Sequence, residues 1–200
     1  KIYAVIRGIG GSSDGKGTGI TAPNPVGQKL CILRAWQHAG ITISSGDMIE
    51  GHGTSTRVGD AAELEVLSEV FKELGLPVGS IALGSVKSNI GHLKSAAGAA
   101  GIFKAAWALK ERELPPSLNF HKPNPIFDIS KSPFYVNTEL RPWNVSAGQV
   151  RRAAVSAFGF GGTNFHVVLE EHVPGRHQPA RRSVAAAAAG SASRAAVPAA

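Results

Sequence analysis

A chain of 200 residues that is 43% hydrophobic and 18% charged, with 24 Gly, 12 Pro and a single Cys, has room for one domain with a real core. It is neither a coiled coil, a disulfide scaffold nor a disordered protein. Its net charge of +7 comes largely from residues 174–200, which hold Arg176, Arg181, Arg182 and Arg194 and no acid, so no basic face with interleaved aromatics is expected for nucleic acid.

The chain opens at Lys1 inside an apolar run, Ile2 to Ile6, and reads as a fragment of a longer protein. A strand is expected over 2–7 and a Gly- and Pro-rich loop over 8–25. A helix follows over 26–39, with Leu30, Leu33 and Trp36 as its apolar stripe and Gly40 as its C-cap. A short strand at Asp47–Glu50 runs into Gly51-His52-Gly53-Thr54-Ser55-Thr56. Asp60 is the expected N-cap of a helix over 61–74, with Glu63 three residues on as in a capping box; Gly75 and Pro77 end it.

A strand over Ile81–Val86 leads into Lys87-Ser88-Asn89-Ile90-Gly91-His92. The helix expected over 95–113 begins with Ala96, Ala97, Gly98, Ala99, Ala100 and Gly101. So many small residues cost helix propensity and suit close backbone approach, so this helix is expected at the centre of the protein. Pro115-Pro116 stops it, and an extended loop covers 117–133. Two β-rich runs follow, Phe134–Thr138 and Arg152–Leu169, the second broken by a loop at 158–164. Residues 1–173 are expected to form the folded domain and 174–200, rich in Ala, Pro and Arg, a linker or tail. No run in the chain approaches the ~20 apolar residues of a membrane span, and no secretory signal opens it. No membrane partner is expected, and the expected compartment is cytoplasmic. Strands alternating with helices give an α/β layered domain with much parallel pairing.

Among the candidate sites, Gly10-x4-Gly15-Lys16-Gly17-Thr18 nearly matches a phosphate loop. Pro23 and Pro25 prevent the helix start that such a loop needs, so it reads as glycine turns. Cys31 lies mid-helix between Leu30 and Ile32 with no cation beside it, and reads as a small core residue. His52 and His92 each follow a glycine just after a strand, where ligands gather in α/β folds. Two histidines in matching contexts, one with Lys87 five residues before it, read as functional, against the alternative of structural turns. A metal pair with Asp60 or His121 as third ligand is the rival use; the spacing fits no familiar ligand set, and no metal is expected. The hydroxyl row Thr54, Ser55 and Thr56 either caps the next helix or hydrogen-bonds a polar ligand arm. The loop 158–164 is either a hairpin turn or a hinged aromatic gate, with Asn164-x-His166 as a third polar cluster.

Four segments together resemble the β-ketoacyl synthase family, specifically the C-terminal part of a ketosynthase domain from a multidomain polyketide or polyunsaturated fatty acid synthase. They are Gly15 with Ala22-Pro23 and Gln28, then Glu50 to Thr56 with Gly59-Asp60, then Gly84 to His92, and finally Ser156 to His166; the likeness runs from Tyr3 to Val173. The resemblance implies a thiolase-like, layered α/β/α/β/α fold, of which this chain carries the C-terminal half plus the end of the N-terminal half, in a homodimer. It implies a decarboxylative Claisen condensation of an acyl-Cys thioester with a malonyl-type unit. That unit is delivered on the 4'-phosphopantetheine of an acyl carrier protein, with no cofactor bound by the chain itself. By the same resemblance His52 and His92 donate to the enolate and Lys87 supplies positive potential and orientation. Thr54 and Thr56 hold the pantetheine arm, and Phe160 with Gly161 and Gly162 forms the gating loop.

Two departures stand out. The family's nucleophile lies in a segment resembling Ala-Cys-Ser-Ser, which is absent here, and Cys31 does not align with it, so the isolated chain is expected to be inactive in condensation. Gly51 and Ser55 replace the more usual Ala and Gly. One alternative is a non-condensing partner subunit, which the retention of His52, His92 and Lys87 disfavours. The other is a thiolase-type enzyme acting on coenzyme A; thiolases typically use a second Cys where this chain has its paired histidines.

Overall fold

The computed structural model describes residues 1–17, 19 and 22–176; the expected linker from 177 onward lies outside them. Six strands form one mixed sheet: β1 (Val5–Ser13), β2 (Met48–Glu50), β3 (Ile81–Gly84), β5 (Phe134–Val136), β7 (Arg152–Phe158) and β8 (Thr163–Glu170). Their order across the sheet is β1-β8-β7-β2-β3-β5. β7, β2, β3 and β5 run parallel, while β8 pairs antiparallel with both β7 and β1. A separate two-stranded ribbon joins β4 (Glu113–Leu114) to β6 (Arg141–Pro142).

Strand side chains alternate between two cores, as a period of two requires. On one face Ile49, Ile81, Ala154 and Val168 meet α1 (Pro25–Ala39) and α2 (Arg57–Phe71). On the other, Met48, Ala82, Ala153, Val155 and Leu169 meet α4 (Ala97–Glu111). The result is a three-layer α/β/α unit. The outer side of α4 carries Phe103 and Trp107, 69% and 48% exposed. Within this chain α4 is therefore a covering layer on one face of the sheet.

Several local expectations are corrected. The first strand continues through the glycines to Ser13. A Cβ on Gly8 would stand 2.2 Å from the Ala35 carbonyl oxygen and one on Gly10 2.1 Å from that of Cys31, so these glycines let α1 lie directly on the strand. In α1 the buried stripe is Cys31, Ile32, Ala35, Trp36 and Ala39, and Leu30 and Leu33 face outward, 40% and 43% exposed. Gly40 does close α1 in the left-handed region, at φ 63°. The helix expected from Asp60 starts earlier, at Arg57 after Thr56, and Glu63, the expected capping-box partner, instead accepts the peptide N–H groups of His52 and Gly53. β3 ends at Gly84, two residues early, where Ser85 and Val86 turn into the short helix α3 (Lys87–Ile90).

Candidate active site

The C-terminal ends of three parallel strands carry the candidate residues. β2 delivers His52, β3 delivers α3 with Lys87 and then His92, and β7 ends at Phe158 beside them. The two imidazoles meet edge to face, ring centroids 6.0 Å apart and planes at 88°.

Each ring has its protonation pattern set by a backbone donor. The Phe158 peptide N–H donates to His52 Nδ1 at 3.3 Å, and the Lys94 peptide N–H donates to His92 Nδ1 at 3.0 Å. A peptide N–H can only donate, so each accepting Nδ1 is unprotonated and the proton of the neutral ring sits on Nε2. Both histidines thus offer an Nε2–H. Burial lowers the pKa of His52 to about 4, with Lys87 and then His92 adding to the shift by charge. At neutral pH it is an uncharged donor.

Carboxylates support this arrangement from behind. Glu63, 5% exposed, accepts the peptide N–H groups of His52 at 2.8 Å and Gly53 at 3.0 Å. Burial raises its pKa to about 7, against the lowering effect of those bonds. Glu50 accepts the Val86 peptide N–H, and its other oxygen lies 2.8 Å from Lys104 Nζ. That approach is an ion pair whose angle falls outside hydrogen-bond geometry. Lys87 is half-buried; burial lowers its pKa, opposed by the charges of Glu63, Glu50 and Asp60. Burial likewise raises the pKa of Asp60, whose Oδ1 has no hydrogen-bond partner among the described residues.

Thr54 and Thr56 place their hydroxyl oxygens 3.2 Å apart. Thr56 is the N-cap residue of α2 but makes no capping bond through its side chain. Its hydroxyl stands over Gly59, where a Cβ would come within 2.3 Å of it. Ser55 sits in the left-handed region at φ 62°.

Phe160, Gly161 and Gly162 form the tip of the β7–β8 hairpin. Phe160 is 83% exposed, and Asp14 N–H donates to the Gly162 carbonyl at 2.8 Å. The aromatic ring beside His52 is that of Phe158, at 5.6 Å between centroids.

His166 does not join this cluster. It is fully buried, accepts from Trp36 Nε1–H at 3.2 Å and pairs with Ser156 Oγ at 3.1 Å. Burial lowers its pKa to about 3, so it is a neutral core histidine. Cys31 is also fully buried, its thiol bonded to the Gln28 carbonyl at 3.1 Å and its pKa pushed up to about 12 by burial. A cavity of about 200 Å³ opens beside the first histidine loop, lined by Gly53, Asp60, Glu63, Ser88 and Ser117 among others. Neither imidazole is among its lining residues.

Sequence reasoning missed Phe158, Glu63 as an anchor, and Lys104. The adjacency of Glu50 to the Gly-His-Gly run was the one signal in the sequence that pointed toward this support.

Comparison with known proteins supplies the chain's relatives. Residues 3–121 match the family described as beta-ketoacyl synthase, C-terminal domain, and residues 123–197 match the ketoacyl-synthetase C-terminal extension. The chain is 47% identical over 173 residues to polyketide synthase PksL of Bacillus subtilis, covering 86% of this chain and 4% of that protein. It is 45% identical over 179 residues to a polyunsaturated fatty acid synthase polypeptide of a Thraustochytrium species, covering 86% of this chain and 6% of that one. Among solved structures, the ketosynthase from module 6 of the bacillaene synthase of Bacillus subtilis superposes with a TM-score of 0.82 at 47% identity. That match covers 88% of this chain and 33% of the other. The chain therefore spans a small part of these synthases and about a third of a ketosynthase. Among the described residues no helix is long and apolar enough to cross a membrane.

Proposed function

Because this chain belongs to the β-ketoacyl synthase family, of which it carries the C-terminal domain, we propose that His52 and His92 are the enolate-stabilising pair of a decarboxylative Claisen condensation. The observation that carries the reading is the pairing of two Nε2–H donors, each fixed by a peptide N–H at Nδ1. The substrate is a malonyl-type thioester on the phosphopantetheine arm of an acyl carrier protein. The bond from its C2 to the carboxylate breaks, CO₂ leaves, and the electron pair moves onto the thioester carbonyl oxygen. That oxygen takes two hydrogen bonds from the imidazoles, which are in place before the charge develops. C2 then attacks an acyl thioester, and the thiolate leaves.

The thiol that carries the acyl group is not Cys31, which is buried and held protonated; it comes from a segment outside these 200 residues. Lys87 keeps the pocket positive, disfavours protonation of His52 and attracts the anionic substrate. The Thr54 and Thr56 hydroxyls, 3.2 Å apart, bond the pantetheine arm, and Phe160 with Gly161 and Gly162 forms a gate over its entry. The working form is a cytoplasmic homodimer served by its carrier protein.

The test is release of CO₂ from malonyl-carrier protein by the ketosynthase polypeptide that includes the nucleophile segment. His52→Ala and His92→Ala are each expected to lower the rate ~10²–10³-fold, as removal of one oxyanion donor does. Unchanged decarboxylation in both would make these histidines structural turns and end the mechanism, although the fold would stand.

A further inference from the structure

Glu50 ends β2 two residues before His52 and is 1% exposed. Its carboxylate ties β2 to two other elements, α3 and α4. One oxygen accepts the N–H of Val86, the N-cap residue of α3, directly before Lys87 and six residues before His92. The other is paired at 2.8 Å with Lys104 of α4, the helix that begins just after His92; the Lys104 side chain is only 10% exposed.

The surrounding chain is cut to fit this pair. A Cβ on Gly101 would stand 3.2 Å from Glu50 Cγ, and one on Gly84 would stand 3.1 Å from Lys104 Nζ. A buried ion pair gains little stability over a well-packed apolar pair. Two glycines, one of them inside a helix, add to that cost. A stabilising role alone therefore does not account for an ion pair at this place, whereas a role in holding two loops in register does.

We infer that Glu50, held by Lys104, is a positioning residue that fixes the Lys87–His92 segment against the strand carrying His52 and so sets the spacing of the two Nε2–H donors. Neither side chain touches substrate. The inference rests on the proposed decarboxylation for its kinetic readout, and on the histidines alone for its structural one.

Three variants of the ketosynthase polypeptide with the nucleophile segment test it. Glu50→Gln keeps an acceptor for Val86 and loses the charge. Glu50→Asp keeps the charge but is too short to reach Val86 and Lys104 together, and disturbs the fold least. The double variant Glu50→Gln with Lys104→Met removes both charges, leaving no buried ion unpaired. Decarboxylation kinetics, Tm and the imidazole Cε1–H shifts of His52 and His92 are read on each.

Glu50→Asp is expected to lower kcat several-fold, and Glu50→Gln ~10-fold or more, with KM within twofold, because displaced donors lose transition-state contacts first. Both histidine signals should move. The double variant should recover Tm but not kcat. A folded Glu50 variant with wild-type kcat overturns the inference, as does a double variant that recovers kcat together with Tm. If the parent polypeptide releases no CO₂, the functional reading fails by itself and the histidine signals decide the inference. Movement of both in Glu50→Asp supports it, and unmoved signals overturn it.

Discussion

Gly101 offers the sharpest check on how closely α4 is packed, because two effects of similar size oppose each other there. Gly101→Ala gains about 1 kcal/mol of helix propensity. Against that, the new Cβ would come within 2.9 Å of Val155 Cγ1 and 3.2 Å of Glu50 Cγ. Neither neighbour yields easily. Val155 is 3% exposed in the middle of the sheet, with a β-branched side chain that has few rotamers. Glu50 is held at both oxygens. Overpacking of this kind costs roughly 1–3 kcal/mol, and because both neighbours are fixed the upper part of that range applies. A net loss of about 1–2 kcal/mol is expected, which lowers Tm by about 2–4 °C per kcal/mol for a domain of this size. Gly98→Ala is the control. Its Cβ would meet only the Ala157 methyl, at 3.1 Å, so the propensity gain offsets the contact and Tm should stay close to wild type. Thermal unfolding followed by far-UV circular dichroism reads both. A Gly101→Ala protein as stable as Gly98→Ala would refute the close-packing argument, and with it the claim that Glu50 is held rigidly.

Ser55→Gly should raise stability by about 1 kcal/mol, because Ser55 is held at φ 62°, where a side chain costs roughly 1–2 kcal/mol; an unchanged or lower Tm would mean that its hydroxyl offsets the strain of that conformation. Between pH 6.5 and 4.5 two opposed pairs of groups should nearly cancel, with Asp60, also raised by burial, adding to the side that gains stability on acidification. Asp47 and Glu63, both raised to about 7, bind extra protons in the folded state, so their contribution is present at low pH and lost as pH rises through 7. His52 and His166, lowered to about 4 and 3, stay unprotonated while the unfolded chain takes up protons, so their contribution is present above ~6.5 and lost as pH falls. Asp47→Asn removes one carboxyl and should reveal a loss of about 1.4 kcal/mol per pH unit on acidification; urea unfolding across this window that shows no such slope would reject the opposed-titration reading.

The sequence carried the site further than it carried the fold's details, and the reason is where each kind of information lies. The Gly-His-Gly and Gly-His runs after apolar strands placed both imidazoles at strand ends, and the rings do meet at 6.0 Å. Leu30 and Leu33 were misjudged because an i, i+3 spacing marks a stripe without saying which stripe is buried. That choice was made by Gly8 and Gly10 on β1, which admit the other face of α1 at backbone contact. Asp60 and Glu63 looked like a helix start from their spacing. The Glu63 carboxylate was claimed by the loop ahead of the helix, where the peptide N–H groups of His52 and Gly53 had no strand partner. Phe158 was hidden for a related reason: its contribution to His52 comes partly from its backbone N–H, which no residue pattern encodes.

The backbone bonds decide which ring nitrogen is left to donate. An imidazole near a cation can act as an acid, a base or a neutral donor, and the residue type alone does not choose. Here a peptide N–H occupies Nδ1 on both rings, which leaves Nε2–H as the outward group on each. For His52, burial together with the charge of Lys87 disfavours the imidazolium, so the ring keeps its place as a donor without giving up the proton. A developing enolate oxygen is stabilised by such a donor at no cost in proton transfer, whereas an imidazolium would tend to protonate it and stop the carbon–carbon bond from forming. Lys87 therefore serves the proposed reaction by keeping His52 neutral, and the bonds made by Glu50 and Glu63 hold the two segments that carry the Nε2–H donors.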